Sequence, residues 1–309
     1  MDEDKNLKGK SVFTVVTGSR KYFEFAFALA RSYRLHNNIE DIPFFIVSDA
    51  DFSLPSDLRW VQKKILPPGS IAKGVESKFA LNELAPAYKS LYIDADSMVY
   101  RDISNAFDMP NDSINVIGTK ITAGTWDDMP AQEVIVRFKI PYLVRYCGAF
   151  YFIIKNELSN SICAMVKDLA KSGYSFQKHA HGINEEPVFS ISMATAGIEP
   201  IADTGNIWGD VHQLKSHHDL DVLKGRTHFT NSKANANYKF WIPEGDYSPA
   251  IIHFGGGNYN KNPWLFDAAR LKIYYRLGVG KYIAGALTGL FVKSPYFLVK
   301  WFKNLRKPN

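Results

Sequence analysis

The chain has 309 residues, of which 46% are hydrophobic and 22% are charged. These proportions are ordinary for a globular protein and exclude a disordered, collagenous or coiled-coil chain. Two cysteines exclude a disulfide scaffold and a thiolate zinc site, and they suit a reducing compartment. The length suits one large domain with an appendage.

The net charge of +6 is unevenly distributed along the chain. From position 268 onward there are nine basic residues and no acidic ones. Removing these nine from the total of 37 leaves 28 basic residues against 31 acidic ones in positions 1–267, a net charge of −3. The basic balance therefore belongs to a C-terminal tail on a slightly acidic body. Such a tail indicates an anionic partner, either nucleic acid or a membrane surface.

The predicted elements begin with an alternation of strand and helix. The opening predicts a strand over Val12–Thr17, a helix that begins after Ser19 as N-cap, and a second strand over Pro43–Ser48. Because this order is typical of a parallel sheet, the fold class is α/β. The later predicted elements, in chain order, are a strand at 59–66, a helix at 76–84, strands at 91–94 and 147–154, helices at 159–172 and 185–196, an irregular segment at 202–247 and a strand at 250–254.

The segment LYIDADSMV is the sharpest candidate site in the sequence. An apolar strand runs into Asp94 and Asp96, and side chains two residues apart in an extended chain point to the same side. Carboxylate oxygens suit Mg²⁺ or Mn²⁺, which typically bridge to substrate phosphates. Aspartate is also common in the turns that end strands. The pair alone therefore indicates either a metal site or an ordinary turn.

A second segment, IIHFGGG, ends a strand with His253 and three glycines. A neutral imidazole is a suitable third ligand for Mn²⁺. Glycines let backbone N–H groups approach a phosphate closely, and Lys261 follows as a cation able to neutralise a diphosphate. By itself, the segment is equally consistent with a core histidine followed by a flexible loop.

Together, the two segments resemble those of glycosyltransferase family 8, the retaining GT-A enzymes that include glycogenin and bacterial lipopolysaccharide galactosyl- and glucosyltransferases. LYIDADSMV is similar to the family's LYLDADxxV, and HFGGGNYNKNPW is similar to its HFxGxxKPW. The resemblance covers Val12 to Trp264. It implies a GT-A (nucleotide-diphospho-sugar transferase) fold, with a mainly parallel central sheet flanked by helices.

The resemblance also implies a set of site residues. The metal ligands for Mn²⁺ or Mg²⁺ are Asp94, Asp96 and His253. The residues that bind a UDP-sugar donor are Thr17, Tyr22, Lys78, Asp94, Ala95, Gly256 and Lys261. Beside the anomeric carbon, the resemblance aligns Glu186, or else its neighbour Glu185, as the catalytic residue. A glutamate at a helix start that favours the helix dipole is the alternative for both.

We therefore expect a metal-dependent retaining glycosyltransferase that moves a hexose of the glucose or galactose class from a UDP-sugar to a glycan or lipid-linked acceptor, in cell-surface polysaccharide or lipopolysaccharide synthesis. Two alternatives stay open. One is a sugar-nucleotidyltransferase, which also uses carboxylates and Mg²⁺ on an α/β sheet but needs a Gly-rich basic loop after the first strand, which VVTGSRKY matches poorly. The other is a non-enzymatic, basic-tailed protein that binds glycans or nucleic acid.

We expect a catalytic domain over residues 1–265 and a basic, aromatic, membrane-associating tail over residues 266–309. The apolar residues that share one helical face of the tail are Leu298, Trp301, Phe302 and Leu305. The basic residues predicted on the opposite face are Lys300, Lys303 and Lys307. Pro295 is expected to separate two helices. Packing of the tail on the body is the alternative.

The tail's longest uncharged stretch, Tyr282 to Val292, has eleven residues. A helix of that length is too short to cross a bilayer of roughly 30 Å. The start of the chain, MDEDKNLKGK, lacks the apolar region of a secretory signal. We therefore expect no transmembrane segment and a cytoplasmic protein held peripherally at the anionic inner face of the membrane, with no nucleic-acid partner.

Overall fold

The structure is a computed structural model that describes residues 9–126, 129–174, 176, 178–179, 182–202, 204–211, 218–234 and 244–305. Residues 1–8 lie outside the described part, and they are most of the N-terminal segment on which the expectation of no secretory signal rests. The α-helices are α1 (Arg20–His36), α2 (Leu81–Leu84), α3 (Ala131–Phe138), α4 (Glu157–Lys171), α5 (Glu185–Thr195), α6 (Trp264–Leu277), α7 (Lys281–Thr288) and α8 (Ser294–Leu305). The strands are β1 (Lys10–Val15), β2 (Phe44–Ser48), β3 (Gln62–Ile65), β4 (Lys89–Ile93), β5 (Ser97–Val99), β6 (Ile117–Ile121), β7 (Thr125–Trp126), β8 (Met129–Pro130), β9 (Leu143–Tyr146), β10 (Phe150–Ile154), β11 (Lys178–His179), β12 (Gly182–Ile183), β13 (Ile201–Ala202), β14 (Trp208–Asp210), β15 (His218–Asp221), β16 (Arg226–Asn231), β17 (Gly245–Tyr247) and β18 (Ile251–His253).

A five-stranded sheet lies at the centre of the fold, in the spatial order β10-β4-β1-β2-β3. Neighbours among β4, β1, β2 and β3 are parallel, and β10 joins the β4 edge antiparallel. The central strands are buried on both faces, as expected of strands covered by helices on both sides. The predicted α/β class with a mainly parallel sheet is confirmed.

The sheet separates two apolar layers, because successive side chains of a strand point to opposite faces. On one face, Val12 of β1 belongs to the cluster that contains Ala26 and Leu29 of α1. On the other face, Phe13 belongs to the cluster that contains Ile162 of α4 and Phe189 of α5. The helices α1, α4 and α5 therefore hold the sheet, and through it the ends of β1 and β4, in a fixed position.

Two local predictions are wrong. The segment predicted as a helix at 76–84 is a 3₁₀ helix over Gly74–Ala80, and only the four residues of α2 are α-helical. The Ser77 hydroxyl donates to the carbonyl of Gly74, a local bond that competes with the α-helical pattern. The strand predicted at 147–154 begins only at Phe150, because residues 148–149 form a turn before it.

The segment predicted as irregular at 202–247 also contains regular structure. Strands β15, β16 and β17 form an antiparallel sheet, and β14 pairs in parallel with β18. These strands are short and polar, and β14 finds its partner far along the chain, so the sequence shows no apolar alternation that would predict them. Positions 203, 212–217 and 235–243 lie outside the described residues.

The C-terminal helices run on without a break. A π-helical segment, Gly289–Lys293, connects α7 to α8, so the expectation that Pro295 separates two helices is wrong. Pro295 is the second residue of α8, where the π segment has already shifted the hydrogen-bond register. The resulting helix, Lys281–Trp301, has 21 residues and is long and apolar enough to cross a membrane by length and composition alone. The expectation of no such segment, which counted only the uncharged run, is therefore corrected.

Candidate active site

The two candidate segments meet because β5 and β18 are neighbours. Residues 94–96 form a turn between β4 and β5, closed by the Ser97 N–H, which donates to the Asp94 carbonyl at 3.0 Å. Strand β18 runs antiparallel to β5, with His253 opposite Ser97. A further bond joins the Phe254 N–H to the Asp96 carbonyl at 3.0 Å. Backbone pairing therefore fixes the imidazole of His253 beside the Asp94–Asp96 turn.

The side chains of Asp94, Asp96 and His253 offer three ligand atoms that all lie within 4.8 Å of one another. The His253 Nε2 atom is 3.4 Å from Asp96 Oδ1 and 3.9 Å from Asp94 Oδ2. Ligands about 2.1 Å from one ion lie about 3 Å apart in cis and about 4.2 Å apart in trans. Both measured separations fall in this interval, so two carboxylates and one imidazole fit a single divalent cation.

The charges around His253 favour a protonated ring when no cation is present. Burial by itself lowers the pKa of His253, but the charge of Asp96 and the hydrogen bonds to Asp210 and Asp96 outweigh it and raise the pKa well above its ordinary value. The same pairing lowers the pKa of Asp96, although burial opposes this. A divalent cation that binds Nε2 therefore takes the place of a proton on the nitrogen that faces Asp94 and Asp96.

Asp94 is held by a buried lysine. The Lys78 Nζ atom donates to Asp94 Oδ2 at 3.0 Å, to Glu185 Oε1 at 2.8 Å and to the Gly148 carbonyl at 2.7 Å. The Tyr92 hydroxyl donates to the other oxygen of Asp94. Burial lowers the pKa of Lys78, but the two carboxylates outweigh it and raise the pKa well above normal, so the ammonium stays charged. Lys78 thus fixes the orientation of a candidate metal ligand.

The two glutamates at the start of α5 differ in environment. Glu185 is 3% exposed and bound to Lys78. Glu186 is half-buried, and its Oε1 atom accepts from the Gly148 N–H at 2.7 Å. A Cβ atom at Gly148 would lie 2.3 Å from Glu185 Oε1, so only glycine admits both carboxylates here. Both glutamates therefore lie against Gly148, beside the metal-ligand cluster.

A cleft of about 380 Å³ opens at the carboxyl ends of β1 and β4. Such crevices are the usual ligand sites of open α/β sheets. Of the residues predicted to bind donor or metal, those that line the cleft are Thr17, Tyr22, Lys78, Asp94, Ala95 and Asp96. Six of the nine predicted donor and metal residues therefore share one cleft, while His253 adjoins it through Asp96.

The glycines after His253 have distinct geometries. Gly256 and Gly257 have positive φ angles of 65° and 78°, in the left-handed region that favours glycine. Gly255 lies against the imidazole, since a Cβ atom there would be 2.4 Å from His253 Cε1. Lys261 follows as an exposed residue and is not among the residues that line the cleft.

Sequence reasoning missed two residues next to His253. Asp210 Oδ2 lies 3.0 Å from His253 Nδ1, and Cys147 Sγ lies 3.9 Å from the same atom. Burial raises the pKa of the Cys147 thiol to about 11. Asp210 ends a three-residue strand in a segment predicted as irregular, and the only available signal was a carboxylate two residues after the short apolar pair Ile207–Trp208.

No family model and no curated protein matches the sequence. Among solved structures, the chain is similar to the galactosyltransferase LgtC in complex with donor and acceptor sugar analogues, with a TM-score of 0.52, 12% identity and coverage of 90% of this chain and 95% of LgtC. An active-site mutant of LgtC gives a TM-score of 0.53 at 12% identity, with 89% and 99% covered.

The apo form of the glycosyltransferase GlyE from Streptococcus pneumoniae TIGR4 gives a TM-score of 0.52 at 13% identity, over 93% of this chain. The chain spans 64% of the length of GlyE. At these identities the likeness is one of fold. The chain therefore has the GT-A fold of these glycosyltransferases.

Proposed function

We propose that the chain is a metal-dependent retaining glycosyltransferase of the family 8 type, which transfers a hexose from a UDP-sugar. The observation that carries this proposal is the meeting of Asp94, Asp96 and His253 at the mouth of a cleft in a GT-A fold. The structure-level likeness to LgtC, a galactosyltransferase, and to GlyE supports the reaction class. The acceptor in this proposal is a glycan or a lipid-linked sugar of cell-surface polysaccharide or lipopolysaccharide synthesis.

The negative charge of the site supports a bound cation between the protein and the donor. Five carboxylates and one lysine surround the site, so its net charge is −4 when His253 is neutral; the carboxylates are Asp94, Asp96, Glu185, Glu186 and Asp210. A diphosphate would be repelled from this cluster, whereas Mn²⁺ or Mg²⁺ held by Asp94, Asp96 and His253 would halve the net charge to −2 and place a cation next to the phosphates. When bound, the ion supplies Lewis-acid stabilisation of the departing diphosphate.

The residues of the cleft divide the remaining work. Thr17 and Tyr22 line its wall after β1, in the place proposed for the nucleoside, and Ala95 lies between the two ligand carboxylates. Lys78 acts on the donor through Asp94, because its ammonium already donates to three protein oxygens. Gly256 presents a left-handed backbone to the phosphates, and Lys261 is proposed to approach them from its exposed position.

Glu186 is the proposed residue beside the anomeric carbon. Its carboxylate is half-buried and adjoins the cluster through Gly148, so it can contact a sugar while remaining oriented by the backbone N–H. Glu185 is buried against Lys78 and is less able to contact a sugar. In this assignment, Glu185 holds Lys78 and Glu186 stabilises positive charge as the bond to UDP lengthens.

The experiment is a calorimetric titration of the chain with UDP, with Mn²⁺ present and again after chelation. We expect UDP to bind tightly only with Mn²⁺. Metal-independent UDP binding, or none in either condition, contradicts the proposal. Formation of pyrophosphate from UTP and a hexose 1-phosphate would instead identify a sugar-nucleotidyltransferase.

We further propose that the catalytic domain is residues 1–265 and that the tail, residues 266–309, binds an anionic membrane. Most of the large apolar side chains exposed on the described part of the chain lie in the last helix: Tyr282, Ile283, Leu290, Phe291, Phe297, Leu298, Val299 and Trp301. The side chains of Phe302, Lys303, Leu305 and Lys307, which the predicted faces include, lie outside the described part. A row of exposed apolar groups this long is unusual for a surface in water.

The inner side of the same helix packs on the body. Buried Ala284 belongs to the apolar cluster that contains Tyr100 of the body. Phe266 of α6 contacts the rings of Tyr296 and Phe297, and Lys293 lies over the Phe266 ring at 5.1 Å. Asp267 anchors α6 by accepting from the Tyr100 hydroxyl at 2.7 Å. A helix held along the body by these contacts lies on a membrane surface rather than across it. Packing and membrane binding therefore use different parts of the surface of one helix, with Phe297 at the boundary between them.

The last part of the tail carries only basic charges. Two of its nine basic residues face carboxylates of the body, Arg270 with Asp221 and Arg276 with Asp57. From position 281 onward six basic residues remain and no acidic ones. At roughly 1 kcal/mol for each basic residue near an anionic leaflet, the charges contribute up to about 6 kcal/mol, and the apolar groups add to this. We place the enzyme at the cytoplasmic face of the membrane, in line with its two free cysteines.

Liposome flotation tests the tail. The full chain and a version truncated after Gly280 are mixed with anionic phosphatidylglycerol vesicles at low salt. We expect the full chain to float and the truncated chain to stay in the soluble fraction with its UDP affinity unchanged. A full chain that stays soluble contradicts the membrane proposal without affecting the glycosyltransferase proposal.

A further inference from the structure

We propose that Asp210 is a positioning residue that sets the tautomer of His253, so that Nδ1 carries the proton and Nε2 is presented to the metal. This inference rests on the proposed function, since it concerns the ion that Asp94, Asp96 and His253 are proposed to hold. Asp210 and His253 both belong to the three-stranded sheet β14-β18-β5.

In that sheet, His253 lies between two strands that each bring one carboxylate. Strand β14 runs parallel to β18, with Asp210 in register with His253. On the other side, β5 places Ser97 opposite His253, and Asp96 directly precedes Ser97. Residues in register on neighbouring strands project to the same face of the sheet. The register therefore places Asp210 on one side of the imidazole, and the turn before β5 brings Asp96 to the other side, 3.4 Å from Nε2.

The two ring nitrogens face different partners. The Nδ1 atom lies 3.0 Å from Asp210 Oδ2, a normal hydrogen-bond distance. The Nε2 atom faces Asp96 at 3.4 Å and Asp94 at 3.9 Å. An ionised carboxylate has no proton to give, so the Asp210 bond requires a proton on Nδ1. Once an ion occupies the Asp94–Asp96 side, the lone pair of Nε2 is the one that can bind it.

A competing arrangement is also present. Cys147, Asp210 and His253 form a second group whose ligand atoms lie within 4.8 Å of one another, so an ion could instead bind Nδ1. Two observations favour the first arrangement. Two carboxylates face Nε2, whereas one faces Nδ1. The cleft that admits a ligand is lined by Asp94 and Asp96, and Asp210 and Cys147 are not among its lining residues.

Asp210 itself is well placed to hold the ring. Its side chain is 16% exposed and that of His253 is 14% exposed, so water competes weakly for the bond. Carboxylates that accept from the second nitrogen of a metal-binding histidine fix the ring orientation and raise the basicity of the ligating nitrogen, and their loss typically costs 10–100-fold in metal affinity. Asp210→Asn preserves the shape of the side chain but removes its charge and allows the amide to donate to Nδ1.

The first measurement is Mn²⁺ affinity, with the metal alone, by electron paramagnetic resonance of free Mn²⁺. We expect Asp210→Asn to bind Mn²⁺ 10–100-fold more weakly than the wild type, and Asp210→Glu, which keeps the carboxylate, to recover part of that loss. Cys147→Ser is the matched comparison, because the thiol lies 3.9 Å from the same nitrogen. We expect its Mn²⁺ affinity to stay within about twofold of wild type, and a loss there without one in Asp210→Asn contradicts the proposal.

The second measurement is the protonation of the ring, by ¹⁵N spectra of histidine-labelled protein with one equivalent of Zn²⁺, which is diamagnetic. We expect a proton-bearing Nδ1 and a metal-bound Nε2 in the wild type, and a different or mixed pattern in Asp210→Asn. A metal-bound Nδ1 in the wild type places the ion in the Cys147 group and overturns the inference. If wild-type protein binds neither ion, the metal site itself fails; if Asp210→Asn binds Mn²⁺ as the wild type does, only the role of Asp210 fails.

Discussion

Adding a single methyl group at Gly255 should displace the imidazole of His253. A Cβ atom at this position would lie 2.4 Å from Cε1, 2.9 Å from Nε2 and 3.2 Å from Nδ1 of that ring. Ordinary contact begins near 3.4 Å, so the ring edge must move by about 1 Å. The ring has little room to do so, because Asp210 and Cys147 lie on one side and Asp96 on the other.

Metal–ligand distances tolerate changes of only about 0.2 Å. We therefore expect Gly255→Ala to weaken Mn²⁺ binding about 10–100-fold, which is about 1.4–2.7 kcal/mol of binding free energy. The assay is titration with Mn²⁺ without nucleotide, alongside thermal unfolding to confirm that the variant is folded. Gly257→Ala is the matched control, since no atom lies within 4 Å of its Cβ position.

Because Gly257 has a φ of +78°, alanine there costs about 1–2 kcal/mol in backbone strain. That control should therefore lose stability while keeping its Mn²⁺ affinity, the opposite of the Gly255 variant. A folded Gly255→Ala protein with wild-type Mn²⁺ affinity would refute the reasoning, because the imidazole would then not be a ligand held at this distance.

Three further predictions concern the site and the fold. Asp96→Asn should abolish metal-dependent UDP binding while leaving the thermal unfolding curve close to wild type, and turnover of a UDP-sugar at the wild-type rate would show that Asp96 is not a ligand. Lys78→Met should lower the free energy of unfolding by about 3–5 kcal/mol, because Asp94 and Glu185 lose their buried cation; urea denaturation should show part of that loss recovered in Lys78→Met/Glu185→Gln, and no recovery would count against the pairing. Arg31→Met should cost a similar amount, because Arg31 donates two bonds to the buried Asp57 carboxylate, at 2.6 Å and 3.2 Å. Burial raises the pKa of Asp57, but the bonds to Arg31 outweigh burial and lower the pKa. The free energy of unfolding that the wild type has in excess of Arg31→Met should therefore be complete above about pH 4 and shrink as the pH falls through the lowered pKa. An equal difference at pH 7 and pH 3 would contradict this.

The central sheet could be predicted from the sequence because its strands are apolar and its helix is amphipathic. Val12–Thr17, Pro43–Ser48 and the residues before Asp94 each form continuous apolar runs, which buried parallel strands require. The structure places these strands as predicted, within two residues at each end. Local composition was sufficient here because burial on both faces requires apolar residues at nearly every position of the strand.

The residues around His253 were harder to predict. Asp94, Asp96 and His253 follow apolar strands, so their positions at strand ends could be inferred, and the resemblance supplied their pairing. Asp210 could not be inferred, because its strand has three residues and is stabilised by a parallel partner rather than by its own composition. The buried position of Lys78 depends on Glu185 and Gly148, which are close to it only in the folded chain.

The C-terminal helix shows a different limit of sequence reasoning. A proline normally ends a helix, and this rule predicted a break at Pro295. The π segment Gly289–Lys293 allows the chain to continue in one helix, and no residue pattern in the sequence announced it. Counting uncharged residues between charged ones also underestimated the apolar helix, because Lys293 lies within its length and packs over Phe266.

The central claim is that this chain releases UDP from a UDP-sugar with the help of a divalent cation. The most direct measurement is UDP release across a panel of UDP-hexoses, including UDP-glucose and UDP-galactose, with Mn²⁺ present and after chelation with EDTA. We expect release from at least one UDP-hexose with Mn²⁺, and loss of that release on chelation and in Asp96→Asn. Release that persists after chelation, or no release from any UDP-hexose by the folded protein, would contradict this claim.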